Sequence, residues 1–221
     1  MIASIDKKQA LGFEFTQTVS MFIAHAHGNG KWEFGEVVPF QDLQISPAAA
    51  VLNYGQAAFE GLKAVQNQDR EILLFRPIMN AKRFRRAADR LLMPPYPEEW
   101  FVEAVKSVVR ANMEWVPQYD PESDITEQSA LYIRPVMIGD GPVLGVGPAK
   151  HFTFYIFVSP VGAYLPGPGR VIVLEGFHRV PAGGTGDIKA SGNYVGTMLP
   201  HKIAKTQEYK DVLYLDARTD Q

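Results

Sequence analysis

Cysteine is absent from all 221 residues, which excludes disulfides, thiolate zinc sites, iron–sulfur ligation and a thiol nucleophile. Surplus charge of either sign is missing too, because 22 Lys+Arg against 24 Asp+Glu leave a net −2. Nucleic acid and anionic membranes select for excess positive charge, so neither is expected as a partner. No apolar run approaches the ~18 residues of a membrane span. The opening stretch, Met1 to Lys8, lacks the apolar core of a signal peptide. With the missing cysteines this gives the expectation of a cytoplasmic protein. Internal repeats and low-complexity segments are also lacking.

What is present is ordinary globular material, with 46% apolar and 21% charged residues. At this length one or two domains with a real core are expected. Val19 to His27 and Trp32 to Phe40 read as β-rich runs around a break at His27-Gly-Asn-Gly30. Leu62 to Val65 and Ile72 to Phe75 read as a second strand pair turned at Asn67-Gln-Asp69. Pro77 suits a first helical position, and Phe84, Ala87, Ala88 and Leu91 follow at helical spacing up to Pro94-Pro95. A second helix begins near Pro97, with Phe101, Ala104, Val105, Val108 and Trp115 on one face and Asn112 interrupting it. Three more β-rich runs cover Ala130 to Ile138, Phe152 to Val158 and Arg170 to Leu174. A helix from Gly192 to Glu208 and a strand from Val212 to Leu215 end the chain.

The order predicts an α+β fold. Its first domain spans residues 1–160, and the Pro/Gly-rich segment 161–170 is the linker. Residues 171–221 open a second domain that is too small to hold a core alone, so this segment either packs onto the first domain or is part of a longer one.

The segment Gly183-Gly-Thr-Gly-Asp-Ile-Lys-Ala-Ser-Gly-Asn-Tyr194 carries the most chemistry. A lysine between a glycine-rich turn and a helix start has three readings: a solvated loop residue, a phosphate ligand, or an amine that forms a Schiff base. The P-loop pattern fails, because Lys189 follows Ile188 and precedes Ala190. Arg83 lies about 100° from Phe84 on the helix, at the border of the apolar stripe. It is either part of a solvated basic face with Lys82 and Arg86 or a phosphate clamp. Tyr132 and Arg134 share one face of a strand, either covering apolar surface or aimed at a carboxylate. Tyr54, Phe59, Tyr164 and Tyr194 read individually as core aromatics. His25 and His27 alternate on a strand without a third ligand nearby, so no metal site is expected. No G-x-S-x-G elbow is present, and Ser191 has no base in view. Gly145-x-Gly147 lacks the rest of a dinucleotide fingerprint.

Several motifs in one order give a resemblance. Lys189 with Asn193-Tyr194 after Gly-Gly-Thr-Gly, Tyr54-Gly-Gln-Ala-Ala-Phe-Glu-Gly-Leu-Lys63 and Leu74-Phe-Arg-Pro77 with Lys82-Arg83 come first. Leu131-Tyr-Ile-Arg-Pro135, Leu144-Gly-Val146 and Pro160-Val-Gly-Ala-Tyr164 complete the set. Together they resemble the branched-chain amino acid aminotransferases, two-domain pyridoxal phosphate enzymes of fold type IV, over essentially the whole chain. The resemblance implies transfer of an amino group between leucine, isoleucine or valine and 2-oxoglutarate. It makes Lys189 the cofactor-bearing catalytic lysine, Arg83 a phosphate ligand and Tyr194 a donor to the cofactor's phenolic oxygen. It makes Tyr132 and Arg134 orient the substrate, and Tyr54, Phe59 and Tyr164 wall its side chain. It places Leu144 and Val146 on a loop reaching the neighbouring site of a homodimer. The acidic partner of the pyridine nitrogen is expected beyond residue 221. Two rival readings are a D-amino acid aminotransferase or aminodeoxychorismate lyase of the same fold, and a non-catalytic binding protein.

Overall fold

In the computed structural model the described residues are 11–27, 30–124, 128–164 and 167–221. Eight strands form one sheet: β1 (Ser20–His27), β2 (Lys31–Trp32), β3 (Glu36–Pro39), β4 (Ala57–Phe59), β5 (Leu62–Gln66), β6 (Ile72–Leu74), β7 (Ala130–Gly139) and β8 (His151–Val161). The order is β2-β1-β8-β7-β5-β6, with β3 against β1 and β4 against β7. All its named pairings are antiparallel. The spine is β7 with β8, paired without interruption from Ala130 opposite Val161 to Gly139 opposite Phe152.

Two helices, α2 (Pro77–Arg90) and α3 (Glu98–Ala111), cover one face; a shorter α1 (Ala50–Tyr54) precedes β4. Of the apolar stripe predicted for α2, Phe84, Ala87 and Ala88 are buried, joined by Ala81, while Leu91 caps the helix and is half-buried. Of that predicted for α3, Phe101, Ala104, Val105 and Val108 are buried, joined by Val109. Phe154 of β8 anchors the layer, with ring centroids 4.3 Å from Tyr96, 5.5 Å from Phe84 and 5.9 Å from Phe101. Because strand side chains alternate, Leu131, Ile133, Met137, Phe154 and Ile156 enter this core. Tyr132, Arg134, Val136, Tyr155 and Phe157 go to the opposite face, which is left for the site.

Residues 171–213 build a different unit. Strand β9 (Val171–Val173) pairs in parallel with β10 (Asp211–Leu213), and α4 (Gly192–Val195) and α5 (Met198–Thr206) lie between them in sequence. The sequence reading had one helix here; it breaks at Gly196 and Thr197.

Other departures have local causes. The run Trp32 to Phe40 splits into β2 and β3 at Gly35 (φ +90°), where a Cβ would stand 2.3 Å from the Ile23 carbonyl oxygen. Helix α2 stops at Arg90, before Pro94-Pro95, and Leu92 takes φ 55°. Trp115 is not on α3 but in a 3-10 turn, Met113–Trp115. Asn112 ends α3, its side chain bonding Val108 O at 2.8 Å, Ser20 O at 3.1 Å and the Ser20 amide at 3.2 Å. It is therefore a tie between α3 and β1 rather than a flaw in the helix face. His25 bonds Thr153 Oγ1 at 3.0 Å, and His27 meets His151 at 3.0 Å. Part of the His27-to-Gly30 turn, and Leu165 and Pro166 of the linker, lie outside the described residues. Among the described residues no helix is long and apolar enough to cross a membrane.

Candidate active site

The site is assembled where the segment before α4 meets β4. Ala190 bridges Ala58, the Phe59 amide donates to Lys189 O at 3.1 Å, and the Ser191 amide donates to Ala57 O at 2.9 Å. Ile188 and Ala190 are buried, so alternation turns Lys189 away from them. Asn193 locks the turn beneath, donating to Thr185 O at 2.7 Å and Ile188 O at 2.9 Å and accepting from Thr185 Oγ1 at 2.6 Å. Lys189 Nζ donates to Tyr194 Oη at 2.7 Å. It also lies 4.3 Å from the centroid of the Phe59 ring and 5.0 Å from that of Tyr194, within cation–π range.

Around this amine opens a pocket of about 790 Å³. Phe59, Tyr132, Arg134, Tyr164, Lys189 and Tyr194, all anticipated from the sequence, line it. Arg134 donates to Tyr132 Oη from Nη2 at 3.1 Å and from Nε at 3.3 Å, with its guanidinium carbon 4.7 Å from the Phe59 ring centroid. Lys63 adds a third cation, and among the described residues no carboxylate lines the pocket. Such a cleft suits ligands bearing carboxylate or phosphate. The apolar wall is Val136, Tyr155 and Phe157, with Phe13 edge-on to Tyr132 at 5.3 Å and to Tyr164 at 4.7 Å. Burial pushes the Tyr155 phenol above its ordinary range, opposed by the charge of Arg134.

Four anticipated residues do not line this pocket. Leu144 and Val146 are 94% and 93% exposed, and Tyr54 Oη donates to the Leu144 carbonyl beside them. Arg83 is turned into an ion pair with Glu60, donating from Nε at 2.6 Å and from Nη2 at 2.8 Å. That hydrogen bond is the largest influence raising the Arg83 guanidinium; burial opposes it, and the charges of Glu60 and Tyr194 add to it.

No protein-family model matches the chain. It is 46% identical over 218 residues to branched-chain-amino-acid aminotransferase 5, chloroplastic, of Arabidopsis thaliana, covering 97% of this chain and 51% of that protein. It is 44% identical over 213 residues to the branched-chain-amino-acid aminotransferase of Helicobacter pylori, covering 95% and 61%. The chain is homologous to the branched-chain aminotransferases. A solved branched-chain aminotransferase of the thermophilic archaeon Thermoproteus uzoniensis, with norvaline, matches at TM-score 0.69 and 26% identity over 90% of this chain and 60% of that one. The fold is that of the fold type IV aminotransferases, and the chain spans about half to three-fifths of the length of these relatives.

For a branched-chain aminotransferase homologue the donor set is apt. A pyridoxal phosphate needs an amine for its aldehyde, a donor for its phenolic oxygen and a cation for its phosphate. Lys189, Tyr194 and the edge of Arg83 that Glu60 leaves free have that chemistry. Sequence reasoning did not single out Glu60, Lys63, Phe13, Tyr155 or Phe157. The register was the available signal for the last two, since Phe157 lies opposite Arg134 and Tyr155 opposite Val136.

Proposed function

We propose that this protein is a pyridoxal phosphate-dependent aminotransferase that exchanges the amino group of leucine, isoleucine or valine with 2-oxoglutarate. The observation that carries the reading is the Lys189–Tyr194 pair, set in a pocket with apolar walls and two further cations. When bound, the cofactor supplies the electron sink for the charge left on the substrate Cα.

The chain's own residues do the rest. Lys189 Nζ would take the proton from Cα and deliver it to the carbon on the far side of the substrate nitrogen, a task suited to a flexible amine held beside a phenol. Tyr194 Oη fixes the direction of that amine. Phe59, Val136, Tyr155 and Phe157 exclude water from around a branched aliphatic chain. Arg134, with Tyr132, receives the distal carboxylate of glutamate when it takes the place of the aliphatic substrate. Arg83 holds the phosphate.

The remaining expectations belong to the same proposal. The division into 1–160, 161–170 and 171–221 draws support from a large sheet ending at Val161 and a second opening at Val171. A homodimer draws support from Tyr54, Leu144 and Val146, which stand together away from their own chain's pocket. A cytoplasmic location draws support from the cysteine-free composition. The test is borohydride reduction in the presence of pyridoxal phosphate, followed by peptide mass mapping, with a panel of L-leucine, L-isoleucine, L-valine and D-alanine. Mass added at Lys189 and turnover of the branched L-amino acids are expected. Labelling elsewhere, or preference for D-alanine, overturns the reading.

A further inference from the structure

We infer that Glu60 is a positioning residue for the cofactor's phosphate: it holds one edge of the Arg83 guanidinium and thereby presents the other edge to the phosphate. This rests on the proposed function and deepens it.

Glu60 sits at the corner between β4 and β5 with its side chain 0% exposed. A buried carboxylate is costly unless its oxygens are fully bonded. Here Oε1 accepts from Arg83 Nε at 2.6 Å, while Oε2 accepts from Arg83 Nη2 at 2.8 Å, Asn80 Nδ2 at 2.8 Å and the Gly61 amide at 3.2 Å. Asn80 and Arg83 are three apart on α2, so one carboxylate bonds two side chains on the same helical face. Arg83 itself is 48% exposed. Without Glu60 it would be a long, half-exposed side chain whose rotamers must be ordered when the anion arrives. With its Nε–Nη2 edge taken by Glu60, Nη1 has no partner among the described residues, and the Nη1–Nη2 edge stays open to an incoming anion.

The flanking residues tie this corner to the rest of the site. Phe59 holds the Lys189 carbonyl. Gly61 lies so close under Tyr132 that a Cβ there would stand 2.3 Å from the phenol oxygen. Three consecutive residues thus fix the amine, the phosphate cation and the substrate-side tyrosine relative to one another.

The test uses the whole protein, at the length at which it is naturally made, and measures dissociation constants for pyridoxal phosphate and for pyridoxal. Pyridoxal has the aldehyde and ring but no phosphate. Glu60→Gln keeps the shape, removes the charge and sets an amide N–H against the guanidinium. It is expected to weaken pyridoxal phosphate about tenfold or more, the scale of a hydrogen bond to a charged group, and to leave pyridoxal within about twofold. Adding Glu60→Gln to Arg83→Ala should cost nothing further, because the carboxylate acts through that arginine. Should Glu60→Gln fail to fold, Glu60→Asp retains the charge one methylene short and is expected to show a smaller loss confined to pyridoxal phosphate. Equal weakening of both ligands, unchanged binding of pyridoxal phosphate, or a double variant with additive losses overturns the inference alone. A wild-type protein that binds no pyridoxal phosphate overturns the proposed function and the inference with it.

Discussion

The Phe59 amide donates to the Lys189 carbonyl at 3.1 Å, and the ring of the same residue lies 4.3 Å from Lys189 Nζ. One residue of the large sheet therefore constrains both the backbone and the head of a lysine that the sequence places 130 positions later. The lysine is not on a free loop. Its segment is an added, irregular edge of β4, and that gives the amine a defined direction toward Tyr194 and the pocket.

Replacing that lysine tests its role most directly. Lys189→Ala removes the amine to which the proposed function gives both the anchoring of the cofactor and the movement of the proton. The expected outcome is a fall in kcat of at least about a hundredfold and no mass added at this peptide after borohydride reduction. The fold should persist, because Lys189 contributes no buried apolar group while Ile188 and Ala190 keep theirs. Activity within about tenfold of wild type would remove Lys189 from the mechanism.

The core makes a second prediction. Phe154 is fully buried and its ring meets those of Tyr96, Phe84, Phe101 and Phe22. Phe154→Ala leaves a void under both α2 and α3, and a loss of about 3–5 kcal/mol is expected in denaturant unfolding. A loss below about 1 kcal/mol would mean that the helices collapse onto the sheet without it.

The parts of the fold readable from sequence were those whose signal is periodic. The stripes of α2 and α3, the long strands β7 and β8, and the shared face of Tyr132 and Arg134 all follow from spacing. What escaped is set by tertiary contact. The strand β4 is three residues long and carries no period of its own; it exists because β7 and the Lys189 segment flank it. Glu60 reads in sequence as one more surface acid, and only the arrival of Asn80 and Arg83 from α2 explains its burial. Phe13 meets Tyr132 and Tyr164 across separations of more than a hundred residues, beyond any local pattern. Arg86 and Arg90, on the outer face of α2, reach carbonyls of Asp187 and Gly183 at 3.4 Å. Helical periodicity assigns such residues to solvent.

Alkaline stability should report on Tyr96. Burial holds its phenol well above the ordinary tyrosine range, and its hydroxyl donates to the Phe34 carbonyl. A group whose folded pKa is raised favours the folded state most below its unfolded pKa, near 10. That contribution is lost as pH rises beyond it. The expected outcome is a Tm that falls steadily above about pH 10. Tyr96→Phe should flatten this fall at a neutral-pH cost of about 1 kcal/mol for the lost hydrogen bond. An equally steep decline in Tyr96→Phe would assign the alkaline loss to other groups.

In the proposed reaction Arg134 is where specificity is decided, because one pocket has to accept an aliphatic side chain and, on the return half-reaction, a carboxylate. Its guanidinium is presented by β7, braced by Tyr132 Oη at 3.1 Å and faced by the Phe59 ring at 4.7 Å. A cation stacked on an aromatic ring is compatible with an apolar neighbour, since its delocalised charge is weakly hydrated. It can also form a paired hydrogen bond with a carboxylate. Arg134→Gln keeps much of the volume and removes the charge. For 2-oxoglutarate the expected loss in kcat/KM is roughly ten- to a hundredfold, the scale of a charge-assisted hydrogen bond. For leucine, whose side chain makes no ion pair, the loss should stay within about threefold, because only the packing of a guanidinium face changes. Single-turnover measurements of the two half-reactions separate these quantities. If both fall together, Arg134 acts by holding Tyr132 and the pocket wall in place, and the distal carboxylate must find its cation at Lys63, which lines the same cleft.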